Sequence, residues 1–112
     1  MSNTSPVPSK ITLAEAIALV HAEPVPYATL FEREELGLEL FIPNGPMQSA
    51  THAHDELYLV QSGAAILDRA GERISCGAGD VVFVPSNTPH RFDSWSAEFR
   101  AWVLYVRPQH AR

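Results

Sequence analysis

Apolar residues repeat along this chain with two different periods. Between residues 11 and 22, Leu13, Ala16, Ile17 and Val20 fall at helical spacing, and Thr12 with Glu15 three residues on carries the signature of a capping box. That predicts one short helix over 12–22, stopped by Pro24 and Pro26 and laid against the outside of a sheet. From Tyr27 onward the period drops to two. Short runs suited to strands cover Tyr27 to Glu32, Leu36 to Ile42, His52 to Ser62, Ala64 to Asp68, Glu72 to Cys76, Val81 to Pro85, His90 to Asp93 and Phe99 to Val106. Turn formers punctuate them at Pro43-Asn44-Gly45-Pro46, Arg69-Ala70-Gly71-Glu72, Gly77-Ala78-Gly79-Asp80 and Ser86-Asn87-Thr88-Pro89. Many short strands at this spacing mean an all-β sandwich or barrel.

Two of the strands say more about packing. Leu36, Leu38, Leu40 and Ile42 alternate with Gly37, Glu39 and Phe41, which marks the leucine side as a buried face. In the last strand Phe99, Ala101, Val103 and Tyr105 are apolar, and so are Trp102, Leu104 and Val106 between them. A strand apolar on both faces needs cover on both, from the barrel core on one side and from the helix or a second subunit on the other.

Composition narrows the class. A chain of 112 residues, 46% hydrophobic, fits one compact domain, assigned here to 11–107, between polar tails at 1–10 and 108–112, the latter holding His110. The formal charge of −5 comes with no basic cluster, which argues against nucleic acid or an anionic membrane as partner. The longest apolar run, Ala101 to Val106, is too short to span a bilayer. One cysteine, Cys76, excludes an internal disulfide; with a polar start, Ser2-Asn3-Thr4-Ser5, unlike a signal peptide, it points to a cytoplasmic protein. Cys76 itself reads as a small buried hydrophobe, His21 as a surface residue at a helix C-terminus, and Arg100 as a solvated charge at a strand end.

The candidate chemistry lies in Thr51-His52-Ala53-His54-Asp55-Glu56-Leu57-Tyr58-Leu59-Val60. On a strand the side chains of His52, His54 and Glu56 point the same way, and imidazole and carboxylate are ligands for Zn, Fe, Mn, Ni or Cu. Tyr58 and Val60 continue that row and are expected to line a pocket, whereas Asp55 points away and reads as a surface acid or a hydrogen-bond acceptor behind the site. On a straight strand at about 3.3 Å per residue, however, His52 and Glu56 stand roughly 13 Å apart at Cα, so sharing an ion requires nearly extended side chains or a bent strand, which a bulge or sharp twist near Asp55 would give.

Gly45 to Gly63, with His52-x-His54, then Glu56 and six residues before Gly63, resembles the first motif of the cupin superfamily. Gly79-Asp80-Val81-Val82-Phe83-Val84-Pro85 followed by Thr88-Pro89-His90 resembles the second. Two features depart from the usual pattern. Three or four residues normally separate the second histidine from the glutamate, where here only Asp55 follows His54; and the second motif normally has glycine at the place of Asn87 and asparagine at that of Ser94. Asn tolerates the left-handed backbone a turn glycine would adopt.

The resemblance implies a double-stranded β-helix, a jelly-roll barrel, with one divalent transition metal (Fe, Mn, Ni, Zn or Cu) in its mouth on His52, His54, Glu56 and His90. Phe92, beside His90, is then a third expected pocket-lining residue with Tyr58 and Val60. It further implies a homodimer and a small metal-dependent enzyme acting on an organic acid, diketone or similar chelating substrate, as a dioxygenase or as a lyase or isomerase. The alternative is a non-catalytic barrel that binds a sugar or organic acid.

Overall fold

The computed structural model describes residues 8–107. The expected tail at 108–112, with His110, and most of the one at 1–10 lie outside the described residues. Helix α1, Leu13–His21, begins where the capping box places it: the Thr12 hydroxyl accepts from the Glu15 N–H, and the Glu15 carboxylate accepts in return from the Thr12 N–H at 2.8 Å. Eight strands follow: β1 Tyr27–Arg33, β2 Leu36–Phe41, β3 Asp55–Ser62, β4 Ala64–Arg69, β5 Glu72–Gly77, β6 Val81–Val84, β7 His90–Trp95 and β8 Arg100–Val106.

They form two antiparallel sheets, β1-β2-β8-β3-β6 and β5-β4-β7, facing one another as a jelly-roll barrel. The core lies between them. Tyr58, Val60, Val82, Val84, Ala101 and Val103 from the larger sheet meet Ala65, Leu67, Cys76 and Phe92 from the smaller. Where β4 turns into β5, Ala70 and Gly71 both take positive φ, as a two-residue hairpin turn with the right twist requires. Arg69 reaches out of the smaller sheet to donate to the Phe83 carbonyl on edge strand β6, at 2.6 Å. Among the described residues no helix is long and apolar enough to cross a membrane.

One expectation is sharpened here and one corrected. The leucine side of β2 is the face under α1: Leu40 is fully buried with Ala16, Val20, Ala28 and Leu30, and Leu38, Ile42 and Trp102 pack against that cluster. The barrel interior takes the opposite row, Gly37, Glu39 and Phe41. β2 therefore packs on both faces, and its internal face was the one that carried a charge. The third strand, expected from His52, begins only at Asp55, because the chain bends at residues 53–54 before it.

Candidate metal centre

The bend removes the need for extended side chains. It swings His52 back over the start of β3, so that its Nε2 lies 3.8 Å from Glu56 Oε2, and the Asn87 N–H holds the turned backbone by donating to the His52 carbonyl at 2.6 Å. Asn87 itself sits at φ 59°, the left-handed conformation expected of the residue at the glycine position of the second motif. Asp55 accepts from the Ser86 N–H at 2.8 Å and so ties the same turn to β3. At the mouth of the barrel β3 and β7 both begin and β8 ends, with Glu56 opposite Tyr105.

His90 enters from the smaller sheet. Its Nε2 is 3.3 Å from Glu56 Oε1, and Ala50 clamps its backbone through a pair of 3.0 Å N–H to carbonyl hydrogen bonds. The other ring nitrogen, Nδ1, is 2.8 Å from the Thr88 carbonyl, which can only accept. The neutral ring therefore carries its proton on Nδ1 and its lone pair on Nε2, the atom aimed at the cluster. Glu56, almost fully buried, also accepts from the Tyr58 hydroxyl at 2.9 Å.

The electrostatics follow from these contacts. Burial favours a neutral Glu56, but hydrogen bonds from His90 in its protonated form and from Tyr58, with the neighbouring His52 and His54, outweigh it and hold the carboxyl below its ordinary value. For His90, burial pulls the value down while the Glu56 and Thr88 hydrogen bonds raise it by more. His52 is lowered, chiefly by burial, against the pull of Glu56. Tyr58 is raised well above 10 by burial and by the Glu56 charge, so its hydroxyl stays a donor.

Of the four residues expected to converge, His52, Glu56 and His90 offer donor atoms within 4.8 Å of one another. This matches bonds of about 2.0–2.2 Å radiating from one centre, and the chemistry of two imidazoles and a carboxylate fits a divalent transition ion. His54 stands outside that group. Its ring is stacked between His52 and Tyr105, at centroid distances of 5.2 and 4.7 Å, and its Nε2 reaches Glu56 Oε2 at 3.2 Å. The sequence held this signal: three residues separate His52 from Glu56, the usual interval after the second histidine of the motif, which leaves Ala50 where the first would stand.

A cavity of about 490 Å³ opens over the cluster. Tyr58 and Phe92 line it, whereas Val60 is packed in the barrel core. Phe41, Met47, Val103, Tyr105 and Glu39 also line it and were not singled out from the sequence. Glu39 is half-buried, and burial, then the Glu56 and Glu32 charges, push its carboxyl up to about 7. Cys76 is buried away from the cavity, its thiol raised by that burial, and its role is packing.

Comparison with known proteins bears on this arrangement. The Cupin domain family model matches residues 37–106. An uncharacterized protein of Streptomyces coelicolor is 36% identical over 58 residues, 52% of this chain and 55% of that one. Acireductone dioxygenase 1 of Pectobacterium atrosepticum is 35% identical over 68 residues, 56% of this chain and 39% of that protein. The chain thus spans about half the length of the first of these curated relatives and less of the second. The crystal structure of DMSP lyase DddQ from Ruegeria pomeroyi superposes with a TM-score of 0.66 at 25% identity, covering 77% of this chain and 48% of that one.

Proposed function

The chain belongs to the cupin family, and from that premise we propose that it is a small metal-dependent enzyme whose barrel mouth holds one divalent transition metal on His52, Glu56 and His90. The substrate class is a compact organic acid, diketone or similar chelating compound. One observation carries the reading: two imidazoles and a carboxylate converge within 4.8 Å at the floor of a cavity walled by Tyr58, Phe41, Phe92 and Tyr105. When bound, such an ion polarises a ligand oxygen as a Lewis acid or, if redox-active, provides a place for dioxygen.

The protein's own groups do the rest. Thr88 keeps the His90 proton on Nδ1, Tyr58 and His54 hold the Glu56 carboxylate, and the aromatic walls exclude water. His54 serves here as a clamp on Glu56, a narrower role than the direct ligation expected of it. The likeness to a dioxygenase and to a lyase favours catalysis over simple binding, and the choice between oxygen chemistry and Lewis-acid chemistry rests with the metal. We further propose a homodimer, and a cytoplasmic location on the ground that the lone, buried Cys76 suits a reducing compartment.

Elemental analysis of protein purified without a histidine tag tests the metal. Fe, Mn, Ni and Zn forms are then assayed on keto acids, diketones and thiol acids by oxygen uptake and absorbance. Turnover confined to Fe(II) with oxygen consumption identifies a dioxygenase; turnover that tolerates Mn or Ni identifies a lyase or isomerase. Tight ligand binding without turnover in any form replaces the enzyme with the binding protein.

A further inference from the structure

Two carboxylates line the cavity, and only one of them is engaged by the protein. Glu56 is held by His90, Tyr58 and His54. The side chain of Glu39, on the inward face of β2 between Gly37 and Phe41, makes no hydrogen bond or ion pair among the described residues. The cations of the lining are already committed: Arg107 pairs with Glu32, and Arg91 pairs with Asp93.

The position is costly to the fold. Glu39 stands across from Val103 on β8 and Thr29 on β1, in a row where an apolar side chain would extend the core without penalty. An unpartnered acid there gains no hydrogen bond from the barrel, and it lines the cavity.

We propose that Glu39 determines specificity, receiving a hydroxyl or amino donor on the end of the ligand that faces away from the His52, Glu56 and His90 cluster. The ligand class is accordingly bifunctional, with chelating oxygens at one end and a hydrogen-bond donor at the other. Above about pH 7, where Glu39 is ionised, a second carboxylate at that far end is disfavoured, because two like charges would meet in a partly dehydrated space. This assignment rests on the reading that the ligand sits in the cavity, and it makes Glu39 a positioning residue that needs no part in bond breaking. Rejection of an analogue that leaves a buried polar group unpaired is the strongest form of discrimination open to a small pocket.

The test is calorimetric, is run at about pH 8 so that Glu39 is ionised, and needs no turnover. Ni(II) is titrated first, and then 2-oxobutanoate, 4-hydroxy-2-oxobutanoate and 2-oxoglutarate are titrated into the Ni(II)-loaded and the metal-free protein. The parent chain is expected to bind the hydroxy compound at least about 10-fold more tightly than its plain analogue and to bind the dicarboxylate most weakly. Glu39→Leu should erase both preferences while its Ni(II) stoichiometry stays that of the parent, and Glu39→Gln should admit the dicarboxylate. Equal affinities for the three compounds, or preferences that survive in Glu39→Leu, overturn the assignment. Failure of Ni(II) to bind overturns the metal reading instead, and the metal-free titrations then decide Glu39 by the same comparison. Binding of no compound to either form overturns both the role of Glu39 and the cavity as a site for this ligand class.

Discussion

His90 and Glu56 are each held by partners that decide where their lone pairs point. The Thr88 carbonyl does this for His90, and the Tyr58 hydroxyl and His54 do it for Glu56. Donor and clamp should therefore separate in mutagenesis. His52→Ala or His90→Ala is expected to abolish stoichiometric metal binding, whereas His54→Ala and Tyr58→Phe should weaken it by about 10- to 100-fold, read by competition with a chromogenic chelator. Equal losses in His54→Ala and His90→Ala would restore His54 as a ligand. Since His90 is raised above 6.5, protons compete with the metal from above that value as pH falls. Glu39 gives a second, opposite lever on the metal-free protein. Its folded value of about 7, set by burial, Glu56 and Glu32, exceeds its ordinary 4.5, so the folded state binds the extra proton. Stability from this group is thus present in full below 4.5 and declines as pH rises to about 7. Tyr58 and Tyr105 also feel its charge and are neutral throughout this range. Glu39→Gln should accordingly be more stable than the parent in urea at pH 8 and indistinguishable from it near pH 4. A difference of equal size at both pH values would mean that Glu39 is not the group that titrates.

Among the elements, period and punctuation made all eight strands and the capped helix legible, with ends differing by three residues at most. What they did not reveal follows from two-sided burial. In β2 both faces pack, so the apolar alternation singled out the leucine row that α1 buries and passed over the inward row, whose Glu39 and Phe41 line the cavity. Likewise the run from His52 is extended enough to read as strand, yet it bends before Asp55 because its backbone is bonded to the Asn87 turn instead of to a neighbouring strand. Gly37 shows how closely these elements fit. A Cβ there would collide with the Tyr105 ring, which pairs across from it on β8 and stacks on His54. Gly37→Ala is therefore expected to cost about 1–3 kcal/mol in urea unfolding, the range for overpacking a tight site, and to weaken metal binding as His54 loses its support. Metal affinity unchanged in a destabilised Gly37→Ala protein would show that the Tyr105 stack does not hold the clamp.

At the scale of the whole molecule, the outer face of the larger sheet is apolar well beyond the area the helix covers. Strand register aligns Leu38, Leu104, Leu57 and Phe83 in one row across β2, β8, β3 and β6, and Leu40, Trp102, Leu59 and Val81 in the next. Helix α1 lies over β1 and β2 and reaches Trp102, which leaves Leu59, Val81 and Phe83 exposed, the last two at 59% and 45%. Edge strand β6 is also short and carries no charge among Val81, Val82, Phe83 and Val84, so nothing on it repels a second chain. A second copy presenting the same face satisfies both features, because a two-fold axis sets the same apolar patch on both sides of the contact. The expected assembly is a homodimer that buries at least about 1,000 Å² in total over β3, β6 and β8. Phe83→Glu and Val81→Lys alter outward-facing side chains at the edge, leave the Val82 and Val84 core positions intact, and should convert the dimer into a folded monomer by light scattering. A parent protein that is monomeric at micromolar concentration, or a dimer that survives both substitutions, would move the interface off this face.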